Sequence, residues 1–160
     1  MRYGLILPVL SLALVACSIA PLQQDQTVRL APGQGLAAVT FDTLDPLTHV
    51  VVASKSGFTK LEITDVPAGQ NIYLFTVPAG EYCFTRFQFS QWSLTARSGH
   101  DLACFTVVAG GLAYSGTLAP RVEGKNIVNH QVPDPPGFRI LLQQQYPQVA
   151  RQFPAPPDAP

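Results

Sequence analysis

The stretch VPAGQNIYLFTVPAGEYCFTRFQF, residues 66–89, decides how this chain is read. Twice it runs a valine into Pro-Ala-Gly, at 66–69 and at 77–80, and each time an apolar and aromatic run follows. Proline fixes φ and glycine tolerates the positive φ that a sharp reversal needs, so this pattern between two hydrophobic runs is turn chemistry with a mechanism. A third version, Val108-Ala109-Gly110-Gly111, leads into 112–118. The three are unequally spaced, which marks hairpin-type turns rather than a solenoid repeat.

Working outward, similar short runs fill 27–30, 36–41, 49–53, 58–63, 71–77, 81–89, 102–108, 112–118 and 126–132. A spacing of about ten residues with turn signals between is the signature of a sandwich or barrel. No amphipathic helix interrupts the series, which argues against a parallel βαβ sheet. The expected fold class is mainly β, an antiparallel β-sandwich of about eight short strands with a short C-terminal helical segment. That segment is 138–152, where Phe138, Leu141, Leu142, Gln145, Tyr146 and Val149 share one helical face. Pro147 cannot sit deep in a helix, so a break is expected near 145–146, with Pro147 opening a second short turn. Asp134-Pro135-Pro136-Gly137 reads as a stiff linker, and the Pro-rich 153–160 as an extended, mobile tail.

Val77-Pro78-Ala79-Gly80-Glu81-Tyr82 with its following strand resembles the turn-and-strand of transthyretin-like and carboxypeptidase-regulatory-like sandwich domains. The stretch FTVVAGGLAY, 105–114, is similar to a second signature of β-sandwich domains in proteobacterial lipoproteins. The resemblance covers about a third of the chain. It implies a fold, which hosts many functions, and no catalytic residues.

At the start, Arg2 is followed by an apolar run from 5 to 16, interrupted by Pro8 and Ser11. A positive residue and a short apolar core form a secretory signal, and a spanning helix would need about 20 apolar residues. Leu14-Val15-Ala16-Cys17 resembles the lipobox of bacterial lipoproteins. The resemblance implies a diacylglyceryl group on the Cys17 sulfur, cleavage after Ala16 and acylation of the freed amine, with palmitate a typical acyl group. Several acyl chains hold a protein firmly. Ser18 after the cysteine implies sorting to the outer membrane, facing the periplasm. The expected organisation is a signal peptide at 1–16, a lipidated N-terminus and flexible tether at 17–26, the sandwich at 27–132, linker and helix at 133–152, and the tail at 153–160.

Without Arg2, nine basic side chains stand against ten acidic ones, with no Lys/Arg cluster. Nucleic-acid binding therefore lacks its electrostatic footprint. Cys83 and Cys104 remain as a pair in a chain expected to meet an oxidising compartment. Runs 81–89 and 102–108 are consecutive, so a hairpin with Cys83 opposite Cys104 is the default. That register puts Phe84 opposite Ala103 and Tyr82 opposite Phe105, with the aromatic face toward the core and the bridge on the less buried side. Two buried free thiols on unpaired strands are the alternative.

Chemistry-bearing motifs are sparse. His49, His100 and His130 are scattered and show no metal-ligand or nucleophile spacing. His100-Asp101 reads as a polar hairpin tip, and Asp42 and Asp45 before Pro46 as turn chemistry. No cofactor motif and no metal site are expected. Trp92, Arg97 and His100 lie in the polar connection 90–101, the expected binding loop, because an exposed Trp and Arg are typical interface anchors. The sequence thus points to a non-enzymatic envelope lipoprotein with a binding or structural role, its partner an envelope protein or glycan. The alternatives are an inhibitor or immunity lipoprotein against an envelope hydrolase or toxin and, third, a periplasmic enzyme.

Overall fold

The computed structural model describes residues 18–96, 101–124 and 126–154. Around the deciding stretch it places β4 (Lys60–Val66), β5 (Gly69–Pro78) and β6 (Gly80–Gln88), which meet at the two Pro-Ala-Gly corners. Gly69 takes a φ of 99°, as such a corner requires. β4 and β6 belong to one sheet and β5 to the other. Each corner therefore carries the chain across the sandwich. The third corner does the same between β8 (Cys104–Val107) and β9 (Leu112–Glu123). The expectation of hairpin-type turns is corrected here: the residues specify a sharp reversal, but not whether the next strand pairs with the last one or faces it.

The first sheet has the order β1 (Ser18–Ile19), β4, β3 (Leu47–Ser54), β6, with β7 (Ser93–Thr95) and β8 sharing the far edge of β6. The second has the order β10 (Asn126–Val132), β9, β2 (Gln34–Thr43), β5. The molecule is a mainly β sandwich with two short C-terminal helices, as its turn spacing indicates. Pairing is antiparallel except at β1–β4 and β2–β9. Between the sheets lies the main core, including Val39 and Phe41 of β2, Val50 and Val52 of β3, Phe75 of β5, and Tyr82, Phe84 and Phe87 of β6.

Phe84 and Phe87 both face this core although an undisturbed strand would point them to opposite sides. The pairing of β3 with β6 slips between Val51↔Arg86 and Val52↔Phe84, leaving Thr85 as the extra residue of a bulge. The bulge returns Phe87 and Phe89 to the side already occupied by Tyr82 and Phe84.

The outer face of the second sheet is also covered. Leu36 and Ala38 of β2 and Ile72 and Leu74 of β5 pack against Phe138, Leu142, Tyr146 and Val149. These come from α1 (Pro135–Gln145) and α2 (Pro147–Gln152), with Tyr146 at the expected break. Residues 134–137 are not a linker. Asp134 caps α1, its Oδ1 accepting from the Gly137 N–H at 3.1 Å, and prolines fill the first turn, where a missing N–H costs nothing.

The expected flexible tether differs from what the chain does from residue 18 onward. Ser18 and Ile19 pair in parallel with Lys60 and Leu61. The Leu22 N–H donates to the Leu74 carbonyl at 2.7 Å, and Val28 is buried in the helix-covered layer. Residues 27–30 form no strand. The Val28 carbonyl meets a side chain instead, Gln152 Nε2 donating to it at 2.9 Å. The apolar residues Ile19, Leu22, Val28 and Leu30 explain the docking: each finds a hydrophobic neighbour on the sandwich edge or under the helices. Residues 1–17, with the signal and Cys17, and 155–160 of the tail lie outside the described residues.

Candidate functional site

Cys83 and Cys104 are joined by a disulfide across β6 and β8, directly opposite each other with Cα atoms 4.1 Å apart. Tyr82 faces Phe105, and the Phe84 N–H donates to the Ala103 carbonyl at 2.8 Å. Bonding at that neighbour makes 83/104 a non-hydrogen-bonded pair, the close kind that a cross-strand bridge needs. Tyr82, Phe84 and Phe105 face the core with ring centroids about 6 Å apart. Cys104 and Thr106 lie on the more open side, although Cys83 itself is buried. Glu81 stands close to both sulfurs, but sulfurs bound to each other are not thiolate ligands, so this grouping holds no metal.

The expected binding loop 90–101 is not one loop. The chain turns tightly at 89–92, where the Phe89 N–H donates to the Trp92 carbonyl at 2.8 Å. It then runs back along β6 as β7, with Ser93 opposite Gln88. The Ala96 N–H donates to the Thr85 carbonyl and the Leu102 N–H to the Phe84 carbonyl. β7 and β8 thus pair with successive stretches of the same edge of β6, on either side of the Thr85 bulge. Ser93, Leu94 and Thr95 are too few to show an alternation, so their sequence gave little warning. Arg97 and His100 fall in 97–100, outside the described residues.

Trp92 sits at the end of the first sheet, 42 % exposed, on the rim of a cleft of about 330 Å³. The cleft is lined by Asp45, Pro46, Thr48, Phe89, Ser90 and Val122 besides Trp92. These residues come from the turn between β2 and β3, the start of β3, the β6–β7 turn and the end of β9. Leu44, beside Asp45 in the first of these turns, is 72 % exposed. Asp45 therefore joins the site through the fold, whereas Asp42 lines another cleft. That one, about 170 Å³, lies between the second sheet and α1 and includes Gln70, Arg121 and Asp134. It is smaller than ordinary ligand pockets of about 300 Å³ and upward.

The two described histidines, His49 and His130, are apart. His49 on β3 lies 3.5 Å from Glu62 on the neighbouring strand, a diagonal cross-strand pair, and His130 is on the edge strand β10. Lys60 beside Glu62 holds that carboxyl below its usual range, chiefly through a hydrogen bond. At the opposite end from Trp92, Lys55 Nζ lies 2.8 Å from Glu81 and 3.8 Å from Asp101. The hydrogen bond to Glu81 raises the Lys55 ammonium's pKa. Both are exposed pairs that satisfy charge without creating a reactive group. Among the described residues, no helix is long and apolar enough to cross a membrane.

No family model, curated protein or solved structure matches the chain.

Proposed function

We propose that this chain is an exported envelope lipoprotein, anchored through Cys17 at the outer membrane and facing the periplasm, whose sandwich binds a partner through the Trp92 end. The observation that carries the reading is Leu14-Val15-Ala16-Cys17, directly before Ser18, the first described residue, which pairs with Lys60. The Cys83–Cys104 disulfide supports an oxidising compartment. The Trp92 cleft supports binding: it offers one aromatic face, apolar walls from Pro46, Phe89 and Val122, and the Asp45 carboxylate. An aromatic plane edged by polar groups suits an envelope protein surface or a glycan.

Acylation and partner capture test the two halves separately. Metabolic labelling with a fatty-acid analogue should mark the wild type and not Cys17→Ser, which should leave the membrane fraction. A Cys17→Ser protein that is still labelled and sediments like the wild type would sink the anchoring. Cross-linking in intact envelopes should yield a complex that Trp92→Ala weakens at least about tenfold, the loss of one anchor of roughly 1.4 kcal/mol. An unchanged complex would remove the Trp92 end as the binding surface.

The tight turn that presents Trp92 also favours a second reading, an inhibitor or immunity lipoprotein, which needs a rigid aromatic tip to enter a cleft on its target. Under that reading the cross-linked partner is an envelope hydrolase or a toxin, and its activity falls when the complex forms.

A further inference from the structure

Residue 18 has no slack. It is paired with Lys60 at the beginning of β4, and Lys60 is two residues beyond Phe58 in the β3–β4 turn. Phe58 is 93 % exposed, the most exposed large apolar side chain among the described residues. The register fixes which end of the sandwich this is. Lys60 lies level with Ala53 and Cys83, at the end where β3 finishes and β6 begins, and the Lys55 N–H donates to the Glu81 carbonyl. Val108, 66 % exposed, follows Val107 opposite Gly80 at the same end. Trp92 and Leu44 are at the other end.

One peptide bond joins Cys17 to Ser18. Consecutive Cα atoms are about 3.8 Å apart and paired strands about 5 Å, so the Cys17 Cα lies within roughly 16 Å of that of Phe58, whatever conformation residue 17 takes. A lipid-anchored cysteine sits at the headgroup boundary. A nine-residue tether would have let the domain float free of it; pairing from Ser18 onward removes that freedom.

We infer that the β3–β4 turn is a second membrane contact, with Phe58 inserted into the lipid interface beside the acylated Cys17 and the Trp92 cleft turned toward the aqueous side. The inference rests on the lipid anchor proposed above. Its occupant is a bilayer, because the segment paired with Lys60, two residues from Phe58, is the one that leads directly to the anchor. The charges nearby, Lys55 with Glu81 and Asp101 and Lys60 with Glu62, are two cations against three carboxylates, so no cationic excess draws the turn to anionic lipid and the contact is apolar. An aromatic residue at such a boundary sits about 5–10 Å into the interface.

Depth-dependent fluorescence quenching tests this on the full-length acylated protein in phosphatidylcholine vesicles. Trp92 is the single native tryptophan, so the reporter is Phe58→Trp in a Trp92→Phe background, and the control is Leu44→Trp in the same background. Emission of the Phe58→Trp reporter should shift to the blue on reconstitution and be quenched by lipid brominated near the glycerol end of its chains. The Leu44→Trp control should show neither, and added salt should not reverse the quenching. Mass spectrometry of the same preparations reports the acyl chains on Cys17. Protein that carries them but whose Phe58→Trp reporter stays unquenched, or is quenched no more than the control, overturns the inference alone. Protein without them overturns the anchor, and the inference with it.

Discussion

The hydroxyl of Tyr146 reaches the carbonyl of Leu22 at 3.4 Å, and that of Ile72 at 3.5 Å, from beneath the helices. One side chain thus touches the first described segment, the second sheet and the joint between α1 and α2. Burial pushes the Tyr146 phenol above its ordinary value near 10, and burial does the same to Tyr73 and Tyr82.

A phenol that is harder to ionise when folded stabilises the fold fully below the unfolded value and loses that contribution as pH rises through the folded one. Stability should be flat through neutrality and fall above about pH 10, where the unfolded chain sheds protons first. Tyr146→Phe should cost about 1 kcal/mol at pH 7 and make the alkaline fall shallower. Urea midpoints across pH 7–11 check both; an unchanged alkaline slope would exclude Tyr146 as a contributor.

The disulfide closes a sequence separation of 21, for which the chain-entropy argument gives about 3 kcal/mol. Cys83→Ser/Cys104→Ser should be destabilised by about that amount in urea. A loss well under 1 kcal/mol would mean that the reduced unfolded chain is already held compact.

Gly35 is a close-approach position. A Cβ there would meet the Val108 carbonyl oxygen at 2.3 Å and Val107 Cγ1 at 2.7 Å, so the corner between β8 and β9 lies directly on it. Gly35→Ala should cost about 3 kcal/mol, since backbone must move. Gly33→Ala, two residues away with a φ of 79° and open space around it, should cost only about 1–2 kcal/mol for its backbone conformation. Thermal unfolding of the pair checks the ranking, and equal shifts would refute the steric argument.

Leu142 is fully buried against the second sheet, whereas Ile140 on the same helix is 59 % exposed. Leu142→Ala should cost about 3 kcal/mol and Ile140→Ala under about 0.5 kcal/mol. If Leu142→Ala loosened only the helix, amide exchange in β2 and β5 would stay as slow as in the wild type; we expect it to accelerate there.

The strands flanking 66–89 were readable because turn chemistry and alternation are local, and so was the register at Cys83 and Cys104, once hairpin pairing was assumed. Two aspects were not. The pairing of β2 with β9 joins residues some 76 positions apart, and nothing in either strand names its partner. The other is the cover on the outer face: seven consecutive residues of β2, from Gly35 to Phe41, are buried without alternation, as in a strand covered on both sides, but an apolar run does not say which element supplies the second cover. Leu22 and Val28, in a stretch without periodicity, gave no sign that they would share that cover. At the candidate site, Trp92 was visible as an aromatic in a turn, but Asp45 and Val122 reach it only through the sandwich ends.

The placement of β2 at the centre of its sheet has a consequence in time. Its neighbours on both sides, β5 and β9, and the helices over its outer face are all made after it. A ribosome or a translocation channel delivers this chain from the N-terminus, so β2 must wait as an apolar ribbon until residues beyond 118 arrive to pair with it. Such non-local closure is slow, on the order of milliseconds to seconds for comparable β topologies. During that interval the chain stays threadable. Arrested chains of increasing length, exposed briefly to protease, should gain protection of β2 only after β9 has emerged, and early protection would show that β2 finds cover elsewhere first.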